Sequence, residues 1–262
     1  MSDYKFYIYG SRGTYPVCGD EYSLFGGQTS CYILKKDKHA IIIDCGTGLY
    51  EAEDLISDCE IIDVLITHVH YDHILGLLKS YVFPRKCDVT FYGTFSKWGE
   101  KNILKEFFNK PFWPIQMFNY KTIEIENKGN IYQLKDGFSF KAFYSKHPDY
   151  TSAYSIEFDN KKICILSDFF IDDIENLDFI NNAEILLYDG TFDSNEYVEY
   201  YDWGHSTYLL GCDVAKKYNI KQLLITHHNP SHTDKKLLEM EEDCKKIYPN
   251  SRFVRFKDEF IL

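Results

Sequence analysis

Short runs of β-branched and aromatic residues, each closed by a turn residue, recur along the chain. They predict strands over residues 5–9, 30–34, 40–44, 63–67, 88–92, 138–144, 153–158, 162–167, 184–188, 222–226 and 252–256. Between some of them the apolar spacing changes to about 3.6 residues, which predicts helices over 49–56, 74–79, 97–109, 207–218 and 234–247. Ser206 or Thr207 can cap the fourth helix, and Thr233 or Asp234 the fifth. Strands in bulk, with helices late in each half, point to an α/β fold of two packed sheets with helices outside. The run Val64-Leu65-Ile66-Thr67-His68 is echoed by Leu223-Leu224-Ile225-Thr226-His227. A duplicated sandwich would bring two such strand ends to one edge; two unrelated buried strands would look the same in sequence.

Composition narrows the picture. The chain has 262 residues without a low-complexity stretch or a Gly/Ser/Pro-rich linker, so a single domain over 1–262 is expected. With 22 Tyr and 20 Phe, most aromatics must be core, because their large rings carry the buried area. The eight Cys are scattered and form no CxxC pair, which reads as reduced thiols. No apolar leader follows Met1, and no apolar run reaches membrane-span length, so a cytoplasmic protein without a membrane partner is expected. A net charge of −11 with no basic run opposes a long nucleic-acid partner, but it leaves room for a small phosphate ester beside bound cations.

The candidate chemistry lies in the histidines. Eight of the nine fall in four clusters: His68, His70 and His73; His147; His205; and His227, His228 and His232. His39 stands apart. All clusters but His205 directly follow a strand-like run, where a rigid sheet can position ligands. Residues i and i+2 can point the same way, so His68 and His70 can grip one ion, while Asp72 and His73 can serve a second beside it. Imidazole and carboxylate donors together suit a first-row metal of zinc type.

The segment Thr67-His68-Val69-His70-Tyr71-Asp72-His73 resembles the HxHxDH signature of the metallo-β-lactamase-fold hydrolase superfamily. The later motifs follow in that superfamily's order, from Gly26-Gly27-Gln28-Thr29-Ser30-Cys31 to Pro230. The resemblance implies a four-layer αββα sandwich with two mixed β-sheets face to face. It implies two divalent metal ions, with Zn first and Mn or Fe as alternatives. One ion would take His68, His70 and His147, the second Asp72, His73 and His227, with Asp168 bridging. A hydroxide between the ions would attack, and Asp72 would also orient the attacking water. Asp44 would support a ligand His, unless it only shapes the turn before Gly46. The resemblance also admits a homodimer.

Gly204-His205-Ser206-Thr207 resembles the HST motif of the ribonuclease Z and cyclic phosphodiesterase branch. On that likeness His205 would protonate the leaving oxygen, where a plain helix-start residue would only cap. Ser206, His228 and His232 become candidate substrate contacts, although each could equally make local hydrogen bonds. The segment holding Phe107, Phe108, Phe112, Trp113 and Phe118 would lid a small pocket and stack a base, or simply fill the core. The expected function is hydrolysis of a small, cyclic phosphodiester such as a cyclic nucleotide or ribosyl cyclic phosphate. A tRNA 3′-processing endonuclease stands second, since no basic Gly/Pro-rich arm is present. A non-catalytic, metal-stabilised nucleotide-binding scaffold stands third.

Overall fold

The computed structural model describes residues 3–99, 104, 109–111, 113, 114, 119–148, 150–170 and 177–262. In these residues fourteen strands form two sheets of seven. The first holds β1 (Lys5–Gly10), β2 (Cys31–Lys36), β3 (His39–Ile43), β4 (Ile61–Leu65), β5 (Asp88–Gly93), β6 (Lys121–Glu124) and β14 (Glu259–Ile261), in the order β14-β1-β2-β3-β4-β5-β6. The second holds β7 (Lys128–Gln133), β8 (Ser139–Lys146), β9 (Tyr150–Phe158), β10 (Lys161–Leu166), β11 (Ile185–Asp189), β12 (Gln222–Thr226) and β13 (Ser251–Phe253), in the order β13-β12-β11-β10-β9-β8-β7. The helices are α1 (Glu53–Ile56), α2 (Tyr71–Ile74), α3 (Phe95–Trp98), α4 (Ser194–Glu199), α5 (Tyr208–Lys217) and α6 (Asp234–Ile247).

Strand alternation builds the layers. Leu34, Ile41, Ile43 and Leu65 face the other sheet, where Ile163, Ile165, Leu187 and Leu224 meet them. Their neighbours Ile33, Ile42, Val64 and Ile66 turn outward onto the α1–α2 side. Cys164, Leu166, Leu186 and Ile225 turn outward onto Cys212 and Ala215 of α5 and Leu237 and Met240 of α6. Each such buried Leu, Ile, Val or Met contributes roughly 1.5–3 kcal/mol. The result is the α/β, four-layer order of helices, sheet, sheet, helices.

Both sheets are mixed, antiparallel at one side and parallel at the other. Laid over each other they match in order and sense when β14 lies on β7 and β6 on β13. That superposition pairs β4 with β11, so the Thr-His echo joins strands that are not equivalent. At the shared pole the sheets are cross-tied. The Tyr154 hydroxyl donates to the Ile66 carbonyl at 2.6 Å, the Ser152 N–H donates to the Thr67 carbonyl at 2.9 Å, and the Tyr32 and Thr226 hydroxyls meet at 2.7 Å.

Several expected elements differ. Residues 49–56 and 74–79 form mainly 3₁₀ turns around the four-residue helices α1 and α2. Their backbone groups take partners elsewhere, as Gly76 N–H to Cys45 C=O at 2.8 Å and Tyr50 C=O from Lys79 Nζ at 2.8 Å, and so are diverted from a regular helical ladder. The helix expected over 97–109 begins as α3 and closes at Trp98; most of its remainder lies outside the described residues. The caps are Thr207 and Thr233, whose hydroxyls accept from Leu210 N–H and Lys236 N–H. Asp234 instead receives the N–H groups of Leu24 and Phe25. All eight cysteines are free. Among the described residues no helix is long and apolar enough to cross a membrane.

Candidate metal centre

Three strand ends turn sharply to aim their last side chains at one pole. Asp44 after β3, Asp168 after β10 and His227 after β12 all adopt left-handed backbone, with φ of 58°, 51° and 58°. Side-chain-bearing residues rarely take that conformation, and each instance stores on the order of 1–3 kcal/mol. His68 and His70 lie in the extended loop after β4. Asp72 and His73 sit in the first turn of α2, which His70 precedes. His147 follows β8 in the turn to β9.

These segments bring seven donors together as two groups that share Asp168: His68, His70, His147 and Asp168, and Asp72, His73, Asp168 and His227. Within each group one ligand atom per residue lies within 4.8 Å of the others. Asp168 Oδ2 is 3.0 Å from His68 Nε2, 3.1 Å from His73 Nε2 and 3.7 Å from His147 Nε2. His227 Nε2 is 2.8 Å from Asp168 Oδ1 and 3.3 Å from Asp72 Oδ2.

The outer nitrogens decide whether this set fits a cation. His147 Nδ1 faces the Gly204 carbonyl at 3.1 Å, so it carries the hydrogen. His73 Nδ1 lies 2.7 Å from Asp44 Oδ2 and donates to it. The Thr67 hydroxyl gives its hydrogen to Asp44 at 2.8 Å and so accepts from His68 Nδ1 at 3.1 Å. The Thr191 hydroxyl gives its hydrogen to Asp189 at 2.7 Å and accepts from His227 Nδ1 at 2.9 Å. With those hydrogens on the outer nitrogens, His68, His73, His147 and His227 in their neutral form turn Nε2 lone pairs towards Asp168, and the buried Nε2 atoms of His68 and His73 lack a hydrogen-bond partner. Lone pairs converging on carboxylates call for cations, and outer atoms held this way orient metal ligands. Gly13 adds a steric guide: a Cβ there would fall 2.4 Å from His227 Cε1, so the backbone can lie against that ring only as glycine.

The electrostatics agree. Burial alone would depress His73 and His227, but Asp168 and its neighbouring carboxylates hold His73 well above the ordinary value and raise His227 to about 10. A field that retains protons this strongly also attracts divalent ions. Burial pushes His147 down to about 3, against the pull of Asp168. Burial would raise Asp72 and Asp168, yet the surrounding imidazoles bring both well below the usual carboxylate range.

Beside the cluster stands His205, its Nδ1 2.9 Å from Asp189 Oδ2. Its ring lies 4.9 Å from those of His147 and His227. Asp189 also accepts from Thr191 N–H and Phe169 N–H, and His205 helps hold its pKa below the ordinary value against burial. His205, His70, Asp72 and Asp168 line a cavity of about 780 Å³.

Three expected substrate contacts need correction. Ser206 is buried with its hydroxyl 2.8 Å from that of Tyr188. His228 donates from Nε2 to the Val254 carbonyl at 3.0 Å behind β12. His232 pairs with Glu196 at 2.7 Å while its carbonyl takes the buried Arg12 guanidinium. All three brace the scaffold, and none lines the cavity. His39 is likewise structural, held between Asp63 and Asp136. Of the aromatic segment, Phe107, Phe108, Phe112 and Phe118 lie outside the described residues, and Trp113 packs on the outer core of the first sheet. Sequence reading missed Asp189, Thr191, Thr67 and Thr14, whose N–H donates to Asp72 Oδ2 at 2.7 Å. The Asp-Gly that ends β11 was the one visible signal for Asp189.

The family model described as a β-lactamase superfamily domain matches residues 39–228. Ribonuclease Z of Ligilactobacillus salivarius is 32% identical over 79 residues, which is 30% of this chain but 25% of that protein, so the match spans only about a quarter of the relative's length. Ribonuclease Z of Thermoplasma acidophilum is 24% identical over 94% of this chain and 92% of its own. The crystal structure of the metallo-β-lactamase fold protein YhfI from Bacillus subtilis superposes with a TM-score of 0.75 at 15% identity, covering 100% of both chains. That likeness is one of fold.

Proposed function

The chain belongs to the β-lactamase superfamily domain family, and from that premise we propose that it is a metal-dependent phosphodiesterase hydrolysing a small, cyclic phosphodiester such as a cyclic nucleotide or a ribosyl cyclic phosphate. The observation that carries this reading is the placing of the His205–Asp189 pair against two donor groups that share Asp168. Bound there, two divalent cations, with zinc favoured by the His/Asp donor set, would supply Lewis acidity and a more acidic water.

The chain's own residues supply the rest. His205 Nδ1 is occupied by Asp189, which leaves Nε2 to hold the mobile proton. A water that has released one proton to solvent adds its oxygen to phosphorus, the opposite P–O bond breaks, and His205 passes its proton to the departing alkoxide and is reprotonated from solvent. Asp189, kept anionic, fixes the ring and stabilises its charged form. Asp72, steadied by the Thr14 N–H, faces the same cavity and orients the attacking water. The net charge of −11 supports a small substrate over a long polyanion.

The test is metal-reconstituted protein screened over cyclic mono- and dinucleotides, ribose cyclic phosphates and 3′-extended tRNA. His205→Ala is expected to keep its metal content and lose roughly 10²–10⁴-fold in turnover of an alkoxide-leaving substrate. It should lose much less on bis(p-nitrophenyl)phosphate, whose leaving group departs without a proton. Equal losses on both would remove His205 from the role of acid. A second reading, tRNA 3′-processing, draws on the near full-length alignment with the Thermoplasma ribonuclease Z. A strong preference for the tRNA substrate would put it first.

A further inference from the structure

The cavity wall above the donor cluster is aromatic, and the hydrolysis just described gives that wall no task. Trp98 comes from α3, Tyr150 from the start of β9, Tyr71 from α2 and Trp203 from the turn before Gly204; all four line the cavity. Tyr71 and Trp203 are 64% and 57% exposed, although aromatic faces of this size are ordinarily covered. The wall is also rigid. Trp98 Nε1 donates to the Tyr150 carbonyl at 2.7 Å, and Phe95 packs against its edge with centroids 5.5 Å apart. Trp203 rests on Tyr200 at 4.8 Å, Tyr200 rests on Phe192 at 5.7 Å, and Phe192 lies 5.7 Å from His205. The ring that faces solvent is therefore braced through two others to the proposed acid.

We propose that Trp203 is a specificity-determining residue whose open face stacks a nucleobase, with Trp98 as the fixed wall of the same cavity. This rests on the phosphodiesterase reading and narrows its substrate to nucleotides. The phosphate of any candidate would occupy the donor cluster. The remainder then meets rings, Val69, Ile74 and Pro148, with Lys97 as the one lysine or arginine and Asp202 beside Trp203 among the described residues lining the cavity. A bare sugar offers such a wall only a C–H edge or face and forfeits part of its hydration there. A flat heterocycle gains from it, and fixed rings lose little entropy in receiving it.

The experiment measures equilibrium binding to metal-loaded protein by calorimetry, with adenosine 5′-monophosphate, ribose 5-phosphate and p-nitrophenyl phosphate as probes. Wild type is expected to bind the adenosine nucleotide roughly ten-fold or more tighter than ribose 5-phosphate, the strength of one base–aromatic stack. Trp203→Ala should collapse that ratio towards one, and Trp203→Phe should retain most of it. Trp203 is largely exposed, so the variants should fold, which thermal melting checks. Equal binding of the two sugar phosphates by wild type, or a preference that survives in Trp203→Ala, would overturn the proposal. So would p-nitrophenyl phosphate binding as tightly as the nucleotide. Hydrolysis of bis(p-nitrophenyl)phosphate by the same preparation reports separately on phosphodiesterase chemistry: no hydrolysis with an intact nucleotide preference removes the former and leaves the latter.

Discussion

Asp44 makes no contact with the cavity, yet it organises one side of the centre. Its carboxylate accepts the N–H and hydroxyl of Thr67 and the Nδ1–H of His73. An amide in its place would set a donor against one of these donors and favour the wrong tautomer of His73. Asp44→Asn is therefore expected to weaken metal affinity by about 10–100-fold with the fold intact, as read by competition with a chromogenic chelator. Unchanged affinity would reduce Asp44 to a turn residue. His68, His70, Asp72 and His73 could be named from their spacing after a strand, whereas Asp168 and the roles of His147 and His227 came from the resemblance to the metallo-β-lactamase-fold hydrolases. Asp189 could not be named, since its part exists only through His205, sixteen positions later. Ser206, His228 and His232 were expected to contact substrate, yet they are buried and bonded to Tyr188, the Val254 carbonyl and Glu196 outside the cavity lining, and such burial cannot be read from residue type.

At the scale of elements, the eleven strands with apolar faces were all legible, while β6, β7 and β14 were not. These three are short or polar edge or near-surface strands, and β6 is exposed throughout, so no buried face imprints a pattern on them. Helix α6 shows how an element is pinned by charge. Buried Glu241 accepts from Arg255 Nη2 at 2.7 Å and from Phe253 N–H at 3.1 Å, which fastens α6 to the end of β13. Burial would raise its pKa, but Arg255 brings it below the ordinary value. A carboxylate lowered on folding contributes stability that is complete above its unfolded pKa, about 4.3, and is lost as pH falls through the folded one. Glu241→Gln should then destabilise by on the order of 3 kcal/mol at neutral pH, with the deficit shrinking below about pH 4. Melting temperatures that run parallel for both proteins into acid would exclude Glu241 as the source.

For the molecule as a whole, the centre is a joint. His68, His70, Asp72 and His73 follow β4 of one sheet, whereas His147, Asp168 and His227 follow β8, β10 and β12 of the other. Neither sheet holds a complete set, so bound cations and sheet packing should stabilise each other. Stripping metal with a chelator is expected to lower the melting temperature by on the order of 5–10 °C, restored by added divalent ion in proportion to its logarithmic excess. Identical melting with and without chelator would show that the sheets hold together unaided. Periodicity alone implied two packed sheets with helices outside; the closing of both donor groups on one pole came from the likeness to a family, since long-range convergence leaves no local trace.

The left-handed turns at Asp44, Asp168 and His227 set local comfort against chemistry. Glycine, being achiral, would relieve the main chain at each, yet it would remove two of the seven donors and the support of His73. The three corners are thus held in an unfavoured conformation by the packing around them, which is the condition for their side chains to converge.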